Sequence, residues 1–144
     1  MFRENYHSHT RRCKHASGTV LDYAIAARDA GLRVLGVTDH SPLPDDRWPE
    51  VRMSMQELPD YIAEVEAAQQ AVPEVELILG MECEYDPLYE KFYRETLLKE
   101  FGVRYLVGGA HWYPYKGEWP WSGKGPMDSE QLRAYSAYLV ASIK

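Results

Sequence analysis

The chain has 144 residues, 45% of them AVILMFWYC and 26% charged, a balance that excludes a disordered or fibrous chain and fits one globular domain over residues 1–144. Sixteen Lys and Arg against 22 Asp and Glu give a net charge of −6 with no basic run, which argues against extended nucleic-acid binding and leaves a small anionic substrate open. Two isolated cysteines, no charged-then-apolar leader and no apolar run near the ~20 residues of a bilayer span point to a cytoplasmic protein without disulfides or membrane segments.

Residues 3–9 read as a short extended segment, after which Ser17-Gly18-Thr19 supplies a turn and N-cap for a helix predicted over Val20 to Ala30 and stopped by Gly31. Leu32 to Thr38 is rich in aliphatic and β-branched residues and predicts a second strand ending at Asp39-His40. Ser41 to Arg52, with Pro42, Pro44 and Pro49, is an irregular loop before a helix over about Met55 to Ala71. Val75 to Gly80 is a third strand, Leu88 to Phe101 a helix closed by Gly102, and Val103 to Gly108 a fourth strand running into Ala110-His111. An aromatic loop from Trp112 to Pro126 then leads to a helix from about Ser129 to Lys144.

Strands alternating with helices predict an α/β fold of parallel βαβ units, either an open doubly wound sheet or a (β/α) barrel, and both place ligands at the carboxyl ends of the strands. The last helix reaches Lys144 with no Gly stop and no Pro, so the pattern predicts a further strand and reads as four βα units of a larger barrel, incomplete at the C-terminus. A domain of this size needs no metal as a staple, so a metal bound here would be functional.

All five histidines fall at or just beyond predicted strand ends: His7 and His9 after the first, His15 in the loop beyond, His40 after the second and His111 after the fourth. Alternation along a strand turns His7 and His9 to the same side, with Ser8 opposite. A lone His-x-His more often describes two surface histidines. Adding His15, His40, Glu82 and His111 changes that, because scattered surface residues have no reason to choose one end of every strand, whereas a multi-metal site needs imidazoles and a bridging carboxylate converging there. Glu82 is the candidate bridge, since it follows the buried-strand sequence Ile78-Leu79-Gly80-Met81 and a carboxylate near a core needs a partner. Glu84 shares its face, while Cys83 points the other way. Cys13 reads as an inert loop thiol close to His15, Asp39 as an acceptor that fixes an imidazole tautomer, and Trp112, Tyr113, Tyr115, Trp119 and Trp121 as either a pocket wall or a packed loop.

His7-Ser8-His9, Cys13-Lys14-His15-Ala16-Ser17-Gly18, Thr38-Asp39-His40-Ser41-Pro42, Arg52-Met53-Ser54, Gly80-Met81-Glu82 and Gly108-Gly109-Ala110-His111 together resemble the PHP (polymerase and histidinol phosphatase) superfamily, in its histidinol-phosphatase branch. The resemblance implies a distorted seven-stranded (β/α) barrel and two to three divalent transition metals, Zn, Mn or Fe. It implies that His7 and His9 bind one metal, that Glu82 bridges it to a second held by His111, and that His15 and His40 bind a third. Two departures stand out. The family completes its site with a later His and an Asp-x-His pair, whereas no histidine follows His111 here, and His111-Trp112-Tyr113-Pro114 stands where the branch has His-Phe-Leu.

The expected activity is metal-dependent hydrolysis of a small phosphomonoester, histidinol phosphate first among them, by a metal-activated hydroxide attacking phosphorus. Glu82, Asp39 and Arg52 are the candidate catalytic side chains, Arg52 as a phosphate contact from the long loop, and Asp45 and Asp46 are candidates for attracting the substrate amine. The rival readings are a PHP-type phosphoesterase acting on nucleotides or nucleic acid, which should show a basic groove, and a non-catalytic metal-binding fragment.

Overall fold

The computed structural model describes residues 3–143, so Lys144, the last residue of the final predicted helix, lies outside it. The strands β1 (Glu4–Asn5), β2 (Val34–Val37), β3 (Glu76–Glu84) and β4 (Tyr105–Gly109) form one sheet in the order β1-β2-β3-β4, with every pair parallel. Each strand joins the same edge in turn. That order has no switch point and so decides between the two predicted architectures in favour of the barrel type of winding.

The first two helices lie on one face of the sheet. Helix α1 (Val20–Asp29) begins in a capping box in which Thr19 Oγ1 accepts from Asp22 N and Asp22 accepts from Thr19 N, as the Ser17-Gly18-Thr19 turn predicts. Helix α2 (Leu58–Ala71) follows a single 3-10 turn, Met55–Glu57, held by a second capping box between Ser54 and Glu57. Val20, Ala24 and Ala27 of α1 and Leu58, Tyr61, Val65 and Ala68 of α2 pack on Leu35 and Val37 of β2 and on Leu77, Met81 and Cys83 of β3. Strand alternation therefore turns Gly80, Glu82 and Glu84 to the opposite face, the interior of the curved sheet.

Three elements differ from the sequence expectation. The first strand is only two residues long because Asn5 Oδ1 takes the His7 backbone N–H (3.0 Å), although pairing resumes where Thr38 N donates to Ser8 O (3.0 Å). The third strand runs on through Glu82 and Glu84, since both acidic residues stay in register with β4, opposite Val107 and Gly109. The segment predicted as a regular helix over Leu88 to Phe101 is a 3-10 turn, Pro87–Tyr89, followed by a π-helix, Phe92–Glu100. Its apolar residues recur at the five-residue interval of that wider turn, as Phe92 with Leu97 and Tyr93 with Leu98, and Leu97 is buried in the core. The final helix, α3 (Ser129–Ser142), is capped by Asp128.

On the inner face the Tyr105 ring lies across Gly36 and Gly80, and its hydroxyl donates to Tyr6 O (2.5 Å). A methyl group at Gly36 would overlap the Tyr105 hydroxyl and stand 2.8 Å from Tyr6 Cα and 2.9 Å from its carbonyl carbon. Backbone cannot retreat as a side chain can. Gly36→Ala is therefore expected to cost about 1–3 kcal/mol in urea unfolding, the range for overpacking a close-packed site, and an unchanged unfolding midpoint would contradict this packing.

Candidate metal centre

Four strand ends deliver the site. The carboxyl end of β1 carries His7 and His9, the end of β2 leads through Thr38 and Asp39 to His40, β3 contributes Glu82 and Glu84, and β4 runs into His111. The backbone locks the second and third of these together, as Ser41 N donates to Glu82 O (2.9 Å) and Glu82 N donates to Asp39 O (3.1 Å). His15 arrives on a loop whose 3-10 turn, Arg11–Cys13, is capped by Thr10 and closed by Lys14 in the left-handed region (φ 61°). Glu64 on α2 anchors that loop by accepting from Arg12 Nη2 (2.6 Å), Arg11 Nη1 (3.0 Å) and Val20 N (3.1 Å).

The ligand atoms converge closely. His7 Nε2 and His9 Nε2 are 3.3 Å apart. Glu82 Oε2 lies 3.1 Å from His9 Nε2, 3.4 Å from His40 Nδ1 and 3.8 Å from His7 Nε2, while its other oxygen, Oε1, lies 3.4 Å from His111 Nε2. Three sets of donors, His7 with His9 and Glu82, His40 with Glu82 and His111, and His9 with Cys13, His15 and His40, each fall within 4.8 Å. Two ligands of a tetrahedral cation held at 2.0–2.1 Å stand about 3.3 Å apart. The spacing and the nitrogen-rich donor set therefore fit small divalent transition metals, and the residues present suit the group.

The outer nitrogens are also held. His7 Nδ1 bonds Thr38 Oγ1 (2.9 Å), His9 Nδ1 bonds Cys13 Sγ (2.9 Å) and His111 Nδ1 bonds Glu84 Oε2 (2.9 Å). Three imidazoles are thus turned with Nε2 inward, and His40 with Nδ1 inward. Glu84, 1% exposed, accepts in addition from His111 N (2.6 Å) and Trp112 N (3.2 Å). That bond to Glu84 raises the His111 pKa against the effect of its burial. Burial pushes His40 down to about 3. Burial also acts to raise Glu82, but the hydrogen bond from His9 and the charge of the neighbouring imidazoles outweigh it and hold the carboxyl down to about 2.

The donors line a cavity of about 610 Å³ whose other walls are Glu50, Val51, Trp112 and Trp121. The structure brings His7, His9, His15, His40, Glu82 and His111 together, as their places at the strand ends predict. It moves others. Asp39, expected to hold an imidazole, is fully buried and accepts instead from Thr10 N (2.7 Å), Thr10 Oγ1 (2.8 Å) and Cys13 Sγ (2.8 Å), because alternation turns it away from His40. Arg52, expected as a phosphate contact from the long loop, is 2% exposed beneath Trp48 and Trp112, where Nη1 donates to Ser41 O (3.0 Å). Asp45 accepts from Tyr89, and Asp46 faces a neighbouring groove, so neither lines the cavity.

Of the aromatic loop, Trp112 and Trp121 reach the cavity, whereas Tyr113 packs on Tyr135 and Trp119 on Tyr138. Thr38, Glu50 and Trp48 are participants the sequence reading did not single out. Thr38 had a usable signal, since it lies two residues before His40 on the same strand face. Trp48 had none, because its stacking on Trp112 (centroids 4.3 Å apart) joins two irregular loops.

Comparison with known proteins agrees with this geometry. A family profile described as PHP domain matches residues 5–143. A curated protein of Deinococcus radiodurans, described as a probable histidinol-phosphatase, is 44% identical over 116 residues, 78% of this chain and 42% of that protein. A crystal structure of a Listeria monocytogenes protein assigned as a histidinol phosphatase shares the fold with a TM-score of 0.70 at 22% identity, over 85% of this chain and 50% of that one. The chain thus spans about half the length of these relatives, and its four strands correspond to part of their (β/α) barrel.

Proposed function

Because this chain belongs to the PHP domain family, whose profile covers residues 5–143, we propose that it forms the metal-holding part of a phosphoesterase for small phosphomonoesters, with histidinol phosphate as the first substrate to test. The observation that carries this reading is the placement of Glu82. Its two oxygens face different donors, Oε2 toward His7, His9 and His40 and Oε1 toward His111, the arrangement a carboxylate shared between two cations requires.

Divalent cations held by these side chains would offset charge on phosphoryl oxygens and make water available as a nucleophile near neutral pH. The chain's own groups do the positioning. Thr38 and Glu84 fix the ring orientations of His7 and His111 from behind. Trp112, stacked on Trp48, walls the cavity against water on one side, and Val51 adds an apolar surface. Among the described residues no Lys or Arg lines the cavity, and both acidic groups there, Glu50 and Glu82, repel a phosphate. Phosphate binding must then depend on the cations.

This gives a direct test by calorimetry with inorganic phosphate and by phosphate release. Inorganic phosphate is expected to bind the chain loaded with zinc or manganese and not the metal-free chain. Phosphate should be released from histidinol phosphate, with no cleavage of single-stranded DNA. Phosphate binding that is equal with and without metal, or cleavage of DNA in place of the monoester, would overturn the reading. The cytoplasm is the compartment proposed with it, where the buried thiols of Cys13 and Cys83 stay reduced.

A further inference from the structure

Cys13 is buried at 0% exposure, and its sulfur touches three groups at once: Asp39 Oδ1 at 2.8 Å, His9 Nδ1 at 2.9 Å and the His40 backbone N at 3.2 Å. We propose that Cys13 is a positioning residue for His9, its thiol linking the buried Asp39 carboxylate to the imidazole so that Nδ1 carries a proton and Nε2 is presented to Glu82.

The hydrogens around the Cys13 sulfur fix the role of each partner. An ionised carboxylate only accepts, and Asp39 already takes Thr10 N–H (2.7 Å) on Oδ1 and the Thr10 hydroxyl (2.8 Å) on Oδ2. A sulfur 2.8 Å from Oδ1 must direct its single hydrogen there, because two bare acceptors at that distance would repel. What remains on the sulfur is lone pairs. The His40 N–H points at one of them, so the other contact, His9 Nδ1, must also be a donor. His9 is then protonated at Nδ1, and its Nε2 faces Glu82 Oε2 at 3.1 Å and His7 Nε2 at 3.3 Å. With Nδ1 held against the sulfur, the ring keeps Nε2 turned toward these atoms whether or not a cation is bound.

On this proposal Asp39 acts on His9 through the sulfur without touching the ring. Serine offers the same one donor and two lone pairs on a shorter bond, whereas alanine offers neither.

The test uses the full chain with 15N-labelled histidine, wild type against Cys13→Ala and Cys13→Ser, read by the nitrogen shifts of the His9 ring with and without zinc and by zinc affinity. Wild type should show a protonated, pyrrole-like Nδ1 at His9 in both states. Cys13→Ala should lose that signature and bind zinc about 10–100-fold more weakly, the usual cost of removing a partner behind a ligand, and Cys13→Ser should recover most of both. The zinc readout rests on the metal reading proposed above, but the nitrogen readout in the metal-free chain does not. A failure of zinc to bind any variant would therefore strike the metal reading, while the nitrogen shifts still decide this one. An unprotonated Nδ1 in the wild type, an alanine variant with unchanged shifts, or a thiolate-to-metal charge-transfer band in the cobalt-loaded chain, which would make Cys13 a ligand itself, would each overturn the proposal.

Discussion

Glu82→Gln is expected to strip the centre of most of its metal and to lower phosphate release by a factor of about 10²–10³, the scale on which loss of one preorganised electrostatic group slows an enzyme. The variant keeps the size and shape of the side chain. It loses the negative charge, and one of its two inward atoms becomes an NH₂ group that cannot face a cation. Because Oε2 serves His7, His9 and His40 while Oε1 serves His111, one substitution reaches both donor sets. The strand pairing of Glu82 with Val107 and the bonds from Ser41 N and to Asp39 O are made by backbone and survive the substitution, while the attraction of the carboxylate to His9 and the neighbouring imidazoles is lost. A metal-free variant that still folds, with a lowered unfolding temperature, together with lost metal and lost activity, is the expected pattern. Full metal content in Glu82→Gln would show that the carboxylate is not a shared ligand.

Glu84→Ala should show the opposite division, with the larger effect on stability. Glu84 is buried and accepts three hydrogen bonds, from His111 N, Trp112 N and His111 Nδ1, and it is the foremost opposite charge acting on the buried Arg52 guanidinium. Removing it leaves two backbone donors unpaired, at about 1–3 kcal/mol each, so the loss is about 2–6 kcal/mol. Against a total stability of about 5–15 kcal/mol for a domain, that is a large fraction. Glu84→Gln retains an acceptor for the backbone donors and should lose less than half as much. Urea unfolding of the two variants measures both, and a loss under about 1 kcal/mol in Glu84→Ala would mean that water replaces the carboxylate at no cost, contrary to its burial.

The half of the site that was legible in the sequence is the half set by local periodicity. Alternation along a strand places His7 with His9 and Glu82 with Glu84, and the repeat of strand and helix brings their ends to one side of the sheet. The cap residue Thr19 declares the start of α1 for the same reason, being read over three or four residues. What stayed hidden depends on partners far away in the chain. Arg52 looks like a free loop cation until Trp48 and Trp112 close over it, and Cys13 looks like an idle thiol until Asp39, 26 residues on, is brought against it. The two-residue β1 has a local cause, the Asn5 side chain competing for the His7 N–H, which hydrophobic patterning alone does not register.

On the proposed function, strand-end imidazoles and one shared carboxylate hold divalent metal in this chain. Elemental mass spectrometry of the purified protein, prepared without chelator or a metal-binding tag, tests it most directly when wild type is compared with a His7→Ala/His9→Ala variant of matched fold. One or more tightly held transition metals per wild-type chain, largely lost from the variant, is the predicted result. A wild-type chain that holds no transition metal after exposure to zinc, manganese and iron, or a variant that holds as much as the wild type, would contradict it.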